Sequence, residues 1–241
     1  MSLNLTIDQG NSAAKVTLWD GNDISFHSLV HDLTAKAIDA ILREYNPAAA
    51  IYCSVADKGD RVISELNSRG VKVMELTHNT PLPITVDYLT PATLGRDRVA
   101  AAVGAWSLFP GRDLLVADLG TAITYDVVTA DGHYAGGNIA PGLRMRLEAL
   151  NHFTARLPLV DCEGDTPLWG YSTDSALRAG AIGGVTGELT YYRSRLAPSA
   201  VTILTGGDSE LIAPKLDFET VTRKHLVSEG LNRILRYNED I

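Results

Sequence analysis

Two short stretches of this 241-residue chain carry residue types that could bind phosphate. Residues 8–12 read DQGNS and residues 118–122 read DLGTA, and each stretch lies between two apolar runs that are typical of buried strands. A glycine at such a joint can expose backbone N–H groups, and small neighbouring side chains leave them accessible. Both stretches could therefore hold a phosphate group.

An aspartate begins each of these joints. Because the carboxylate of Asp8 would repel a bare phosphate, it suits this chemistry only if a cation such as Mg²⁺ lies between the two. Lys15 could neutralise more phosphate charge if its strand runs beside the joint. One joint alone is weak evidence, since Asp-Gly at a hairpin is usually turn chemistry. Asp118 repeats the arrangement in the second half of the chain, and the two joints together predict a phosphate clamp.

The elements around the two joints repeat in the same order. Apolar and alternating runs predict three strands in residues 3–30, followed by a helix that Thr34 could cap, a buried strand, a second helix and another strand. A similar β-β-β-α-β-α-β series begins again near residue 111. We therefore predict an α/β protein of two similar lobes, residues 1–110 and 111–241, that face one another across a cleft.

A long loop is predicted between the two series. Residues 77–97 show little periodicity and contain three of the ten prolines, and long loops in compact domains are usually functional. Arg96 and Asp97 end this loop, and Arg98 begins the predicted helix that follows. Asp97 could accept the proton of an alcohol during phosphoryl transfer, and the flanking arginines would keep it ionised. The alternative is a surface cluster in which Asp97 caps the following helix.

Composition limits the class of protein. Hydrophobic residues make up 45% of the chain and charged residues 21%, as in ordinary globular proteins. The net charge of −8 argues against a nucleic-acid partner, and the apolar runs are shorter than a membrane span requires. Without a signal-peptide pattern, we expect a cytoplasmic protein that associates with no membrane. The three tryptophans, Trp19, Trp106 and Trp169, are predicted to pack.

Four stretches taken together closely resemble type III pantothenate kinase: residues 8–15, 95–98, 118–126 and 136–142. The first stretch alone would suit any member of the acetate and sugar kinase, Hsp70 and actin superfamily, but its combination with Gly95-x-Asp97-Arg98 is more specific. The resemblance covers nearly the whole chain. It implies two ribonuclease H-like lobes of the actin-like ATPase fold, and transfer of the γ-phosphoryl group of ATP to the primary hydroxyl of pantothenate, the first step of coenzyme A biosynthesis.

The resemblance also implies roles for individual residues. The residues implied to bind ATP are Asp8, Gln9, Gly10, Asn11, Ser12, Lys15, Thr121, Gly206 and Gly207. Those implied to bind pantothenate are Tyr88, Gly95, Arg96, Asp97, Arg98 and Thr173. Asp97 would be the proton acceptor, Asp8 would lie near Mg²⁺, and Asp118 would hold a monovalent cation, K⁺ or NH₄⁺.

The same resemblance implies a homodimer in which Thr173 lies near the partner's site. Two positions depart from the family's usual residues, since Ser12 stands in place of Thr and Ser172 in place of Asn. The second departure makes the role of Thr173 less secure.

Two other functions remain open. A phosphotransferase or phosphohydrolase of the same superfamily acting on another small substrate would need a different loop at residues 88–98. A noncatalytic, nucleotide-dependent regulator would be favoured by the loss of Asp97 or Asp118, but both are present.

Overall fold

The structure is a computed structural model that describes residues 3–10, 13–54 and 59–239. Within these residues it contains eleven β-strands and seven α-helices. The strands are β1 (Asn4–Gln9), β2 (Ala14–Asp20), β3 (Asp23–Val30), β4 (Ala49–Ser54), β5 (Lys72–Glu75), β6 (Thr85–Val86), β7 (Leu114–Leu119), β8 (Ala122–Val128), β9 (His133–Pro141), β10 (Val201–Thr205) and β11 (Val221–Thr222). The helices are α1 (Ala35–Tyr45), α2 (Gly59–Ser68), α3 (Arg96–Leu108), α4 (Leu143–Phe153), α5 (Thr173–Arg193), α6 (Ser209–Ile212) and α7 (Leu226–Glu239).

Contacts divide the chain into two compact units. The first comprises residues up to Pro110 together with residues 132–134 and the segment from His225 onward, and the second comprises residues 111–131 and 135–224. The lobes predicted at 1–110 and 111–241 divide the chain after residue 110, and the contacts also divide it there. The contacts, however, group the last helix with the first unit, because α7 packs on α3 and on β1.

The sheets of the two units have the same strand order. In the first unit the order is β3-β2-β1-β4-β5, with β1 antiparallel to β2 and parallel to β4. In the second unit the order β9-β8-β7-β10-β11 repeats it, with β7 antiparallel to β8 and parallel to β10. The predicted repeat of β-β-β-α-β-α-β elements is therefore confirmed in the sheet topology. Residues 133 and 134, which contacts assign to the first unit, pair with β6.

Each unit has its own apolar core. In the first unit, side chains of β1, β2 and β4 pack against α1 and α2, with members that include Leu5, Ile7, Val16, Leu18, Ile38, Tyr52 and Leu66. In the second unit, β7 and β8 pack against α4 and α5, with members that include Leu115, Leu119, Ile123, Tyr125, Leu147, Val185 and Leu189. Central strands buried on both faces explain why these runs are almost continuously apolar in the sequence.

The first helix begins where the sequence predicts. The hydroxyl of Thr34 accepts a hydrogen bond from the N–H of Ala37 at 3.2 Å, so Thr34 is the predicted N-cap of α1. The helix ends at Tyr45, and its C-cap, Asn46, adopts a left-handed conformation with φ of 45°.

Helix α3 is held at unusually close range by α7. A Cβ on Gly104 would lie 2.6 Å from the carbonyl oxygen of Leu226, and a Cβ on Gly230 would overlap the carbonyl oxygen of Ala100. Only glycine allows this approach of the two backbones. The packing matters for the site because α3 carries Asp97 in its first turn.

Of the three tryptophans predicted to pack, one does not. Trp19 is 2% exposed and Trp106 is half-buried, but Trp169 is 83% exposed on the segment before α5, so the prediction for Trp169 is wrong. No helix in the described part of the chain is long and apolar enough to span a membrane.

Candidate functional site

In the first unit, Asp8 and Lys15 lie opposite one another on adjacent strands. The two residues are Cα partners in the antiparallel pairing of β1 with β2, and Lys15 Nζ lies 3.6 Å from Asp8 Oδ2. The expectation that the strand of Lys15 runs beside the joint is thus met. The turn between the strands is closed by a hydrogen bond of 3.0 Å from the N–H of Gly10 to the carbonyl of Ala13. Asn11 and Ser12 lie outside the described residues.

Asp8 is a buried carboxylate, with 7% of its surface exposed. Burial raises its pKa, the nearby Asp97 raises it further, and Lys15 opposes both effects. On the other side of β1, Cys53 of β4 is the Cα partner of Asp8, and burial raises the pKa of its thiol well above the usual value. The end of β1 is therefore a site where negative charge is costly, and a cation would relieve that cost.

Asp97 lies in the first turn of α3, in the same unit. Its Oδ1 accepts a hydrogen bond of 2.9 Å from the N–H of Arg98, and a Cβ on Gly95 would lie 2.5 Å from the same oxygen. Glycine is therefore required at position 95 to leave room for the carboxylate. The residue that precedes the helix as its N-cap is Gly95, so Asp97 is not the cap considered as an alternative in the sequence.

The two arginines beside Asp97 have different surroundings. Arg96 donates hydrogen bonds to the carbonyls of Pro91 and Ala92, at 3.1 and 3.0 Å, and so braces the preceding loop against α3. Arg98 is buried, with 6% of its surface exposed. Their roles in binding pantothenate stay predictions.

Tyr88 lies on the loop that precedes α3 and is half-buried. Its ring meets that of Tyr134 edge to face, with 6.1 Å between centroids, and Tyr134 is fully buried. The pairing of β6 with the start of β9 holds this loop, aided by a contact of 2.6 Å between His133 Nδ1 and Asp87 Oδ2. Tyr134 cannot be selected from sequence, because a tyrosine at the start of an apolar strand gives no signal that distinguishes it from core.

In the second unit, Asp118 lies at the end of β7, at the topological position that Asp8 has in β1. Its Cα partners are Thr124 on β8 and Thr205 on β10. Asp118 is half-buried. A Cβ on Gly206, whose φ is +87°, would lie 2.5 Å from Asp118 Oδ1, so the backbone at Gly206 closely borders this carboxylate.

The loop at Gly120 and Thr121 is bordered by a second glycine. The N–H of Gly142 donates a hydrogen bond of 3.0 Å to the carbonyl of Thr121, and a Cβ on Gly142 would overlap the carbonyl oxygens of both loop residues. Thr121 itself is exposed. The structure thus brings together Asp118, Thr121 and Gly206 of the predicted set, with Gly207 following in the same turn.

Thr173 is the first residue of α5 and is exposed. The helix is capped by Ser172, whose hydroxyl accepts a hydrogen bond of 3.2 Å from the N–H of Ser175. In return, the N–H of Ser172 donates to the hydroxyl of Ser175. Serine and asparagine are both favourable N-caps, so the departure at position 172 preserves the start of the helix.

The chemistry of these residues fits the cations that the sequence predicts. Mg²⁺ in nucleotide sites keeps several water ligands and takes only one or two carboxylates. The single buried carboxylate of Asp8 is therefore enough protein ligand for it. Asp118 offers a carboxylate beside a close-packed backbone turn, and oxygen ligands are those that K⁺ requires. Among the described residues there is no group of three or more His, Cys, Asp or Glu side chains that could hold a metal by itself.

Comparison with known proteins identifies the family. The family model of type III pantothenate kinase matches residues 4–195. A type III pantothenate kinase from Bacteroides fragilis is 44% identical to this chain, over 98% of this chain and 98% of its own length. This chain belongs to the type III pantothenate kinase family. The resemblance drawn from the sequence motifs is therefore confirmed.

Solved structures agree with the predicted fold. A Campylobacter jejuni protein described as a candidate Baf family transcriptional activator has a TM-score of 0.67 at 23% identity and covers 98% of this chain and 100% of its own. The activator of 2-hydroxyisocaproyl-CoA dehydratase from Clostridium difficile, solved with bound ADPNP, has a TM-score of 0.56 at 10% identity and covers 99% of this chain and 98% of its own. At these identities the likeness concerns the fold, and the two-lobe α/β class predicted for this type III pantothenate kinase family member is confirmed.

Proposed function

We propose that this chain transfers the γ-phosphoryl group of ATP to the primary hydroxyl of pantothenate and so forms 4′-phosphopantothenate, the first intermediate on the way to coenzyme A. The full-length match to the type III pantothenate kinase family carries the proposal. The first unit supports it, because a carboxylate in the Gly-x-Asp-Arg motif lies close enough to Asp8 to affect its pKa.

Asp97 is the proposed general base. In transfer to an alcohol, a carboxylate within hydrogen-bonding reach accepts the hydroxyl proton as the oxygen attacks phosphorus. The hydrogen bond from the N–H of Arg98 orients the Asp97 carboxylate, and Gly95 leaves the space that this orientation needs. Tyr88, Arg96 and Arg98 are proposed to bind pantothenate around it, and Arg98 could pair with the carboxylate of this anionic substrate.

The joint at the end of β1 is the proposed contact for the ATP phosphates in the first unit. Its Gly10 N–H is used in the turn to Ala13, so the remaining donors are expected from residues 11 and 12, with charge from Lys15. Mg²⁺ bound near Asp8 would neutralise phosphate charge. The raised pKa of Asp8 supports this proposal, because a buried carboxylate beside another acid gains from a nearby cation.

In the second unit, Thr121 and the turn at Gly206 and Gly207 are proposed to contact ATP, and Asp118 is proposed to hold K⁺ or NH₄⁺. The carboxylate of Asp118 would supply an oxygen ligand to this cation, at the strand position that pairs with Thr124 of β8. The glycines at 142 and 206 leave the backbone close to these residues, as a phosphate-binding loop requires.

A homodimer is proposed as the working form, with Thr173 near the partner's pantothenate. Several large apolar side chains of the second unit support an interface, because they are exposed in the single chain: Ile139, Phe153, Leu159, Leu168, Trp169 and Tyr171. Light scattering on the purified protein should give about twice the chain mass of 25.9 kDa. A monomer mass at micromolar concentration would contradict this part of the proposal.

The experiment that tests the activity is coupled ADP release by the purified protein with Mg-ATP. It is run with and without pantothenate, in sodium and then in potassium or ammonium buffer. Pantothenate-dependent ADP release is expected, and it should require potassium or ammonium. No pantothenate-dependent turnover from folded protein in any buffer would contradict the proposal and favour another substrate or a regulatory role.

A further inference from the structure

A partly buried group of polar side chains joins three elements of the second unit beside the Gly120–Thr121 loop. Its centre is Glu188 on α5. Arg146, in the first turns of α4, donates from Nη2 to both carboxylate oxygens of Glu188 at 2.7 Å, and from Nε to the carbonyl of Pro141 at 2.8 Å. The guanidinium therefore links the corner between β9 and α4 to helix α5.

Tyr125 on β8 completes the group. Its hydroxyl donates a hydrogen bond of 2.8 Å to Glu188 Oε2, and the residue is 1% exposed. Burial and the negative charge of Glu188 both raise the pKa of Tyr125, so its phenol stays protonated and remains a donor. Hydrogen bonds to a charged acceptor in a poorly solvated place are among the stronger ones in proteins.

Helix α5 leaves room for the guanidinium of Arg146 because residue 184 is a glycine. A Cβ on Gly184 would lie 2.8 Å from Nη1 of Arg146, so a larger residue there would push the guanidinium away. Both charged side chains are mostly covered, with 18% of the Arg146 side chain and 32% of the Glu188 side chain exposed. Removing one partner would leave the other poorly compensated.

The corner held by Arg146 is in direct contact with the loop at Gly120 and Thr121. Gly142, next to Pro141, donates its N–H to the carbonyl of Thr121, and it fits so closely that a Cβ would overlap the carbonyl oxygens of both loop residues. Tyr125 anchors β8, the strand that leaves this loop. The β9–α4 corner and strand β8, which border the loop, are thus both linked to the carboxylate of Glu188, the corner through Arg146 and β8 through Tyr125.

We propose that Arg146, Glu188 and Tyr125 are positioning residues, which hold the Gly120–Thr121 main chain in the place where it meets ATP. None of the three needs to touch the nucleotide. The inference rests on the proposed function, since it assigns these residues to the ATP side of the kinase reaction. Small displacements of a binding loop are costly, because a misplacement of about 1 Å can lower the rate by about 10²-fold.

The decisive variant is Glu188→Gln, which keeps the shape of the side chain and an acceptor for Tyr125 but removes the charge that holds Arg146. Its kcat/KM for ATP should fall by about 10-fold or more through a raised KM. The KM for pantothenate should change by less than about two-fold, since that substrate is not proposed to contact this loop. A loss that is merely structural would reduce the active fraction and leave both KM values unchanged.

Helix α4, which carries Arg146, provides a matched control. Arg144 and Glu148 form an exposed i,i+4 ion pair on α4, with 84% and 49% of the side chains exposed. Glu148→Gln removes the same charge from an arginine partner two residues away from Arg146, and it should keep wild-type values for both substrates. Tyr125→Phe is the second test, because it removes one hydrogen bond without changing charge and should raise the KM for ATP in the same direction.

The outcomes separate the two proposals. If the wild type shows no pantothenate-dependent turnover, the proposed function fails. If the wild type is active and folded Glu188→Gln keeps a wild-type KM for ATP, the positioning role is overturned and the function stands. Should Glu188→Gln not fold, an unchanged KM for ATP in Tyr125→Phe overturns the role, and a raised one supports it.

Discussion

Asp8 is a carboxylate whose surroundings disfavour its ionised form in the folded chain. Its carboxylate is buried, has Lys15 at 3.6 Å and lies within the electrostatic influence of Asp97. Burial and the second acid both work against the ionised form, and the lysine recovers only part of that free energy. In the proposed function, a cation bound near Asp8 would offset this cost.

Replacing Asp8 with asparagine should therefore stabilise the protein at neutral pH. The pKa of Asp8 in the folded state is raised above 3.8, so the folded state loses stability as the pH rises through the window between the two pKa values. Asp8→Asn removes that loss. The thermal midpoint should rise at pH 7, by about 2–4 °C for each kcal/mol recovered at this chain length. Below pH 3.8 the gain should disappear.

The control for this prediction is Asp39→Asn. The pKa of Asp39 is lowered by its hydrogen bond from Arg69, so the sign is reversed and no gain in midpoint is expected at pH 7. Thermal scans of the three proteins between pH 3.5 and 7 provide the comparison. A midpoint for Asp8→Asn that falls at pH 7 would show that the Lys15 pair outweighs burial. Kinase activity should be lost in Asp8→Asn regardless of its stability.

Asp97→Asn tests the general base. The amide keeps the size of the side chain and can still accept from the N–H of Arg98, so the start of α3 should be preserved. Losing a general base lowers turnover by about 10²–10⁴-fold, while ATP binding should be nearly unchanged. Steady-state kinetics give the first quantity and titration calorimetry with a non-hydrolysable ATP analogue gives the second. A variant with wild-type kcat would remove Asp97 from this role.

At the scale of elements, the contact of α3 with α7 determines where Asp97 lies. Gly230→Ala would place a methyl group on the backbone of Ala100, which cannot move without shifting α3. Overpacking of this kind costs about 1–3 kcal/mol, and we expect a lower urea midpoint with an unchanged m-value. Gly187→Ala on α5 is the control, because a Cβ there has nothing within 4 Å, and it should be neutral or slightly stabilising. Equal midpoints for both variants would contradict the close packing.

The sequence predicts elements well where periodicity or a cap marks them. The helix after Thr34 and the strands around Asp8 and Asp118 follow from such local signals. The strands β6 and β11 are two residues long, too short for any period, and they form because a neighbouring strand edge is available. Residue type alone predicts that Trp169 packs, but 83% of its surface is exposed in this chain.

The residues of the candidate site also differ in how well the sequence predicts them. The motif residues can be selected from sequence because each motif is short and local, and their roles stay predictions. Arg146, Glu188 and Tyr125 were not, since Tyr125 and Glu188 are 63 positions apart and each alone resembles an ordinary core or surface residue. Their relation depends on the packing of α4 and β8 against α5, which a single sequence does not specify.

At the scale of the whole molecule, the two units are copies that have diverged at one informative position. Asp8 and Asp118 end equivalent strands, and each is paired with a residue on the next antiparallel strand. That residue is Lys15 in the first unit and Thr124 in the second. The paired position thus carries an ammonium group in the first copy and a hydroxyl in the second, where the proposed monovalent cation would add a positive charge.

If Asp118 holds the proposed monovalent cation, this difference predicts which variant removes the expected stimulation by potassium. Asp118→Asn should abolish the stimulation, so that rates in sodium and potassium become equal and both are low. The electrostatic reason is that an amide lacks the charge that selects a cation over water. The measurement is ADP release at saturating pantothenate as potassium replaces sodium at constant ionic strength.

Thr124→Lys gives the reciprocal test, because a lysine at the position equivalent to Lys15 should replace the cation and make the rate independent of potassium. If both variants keep the wild-type potassium response, the cation binds elsewhere, and the two joints differ for another reason.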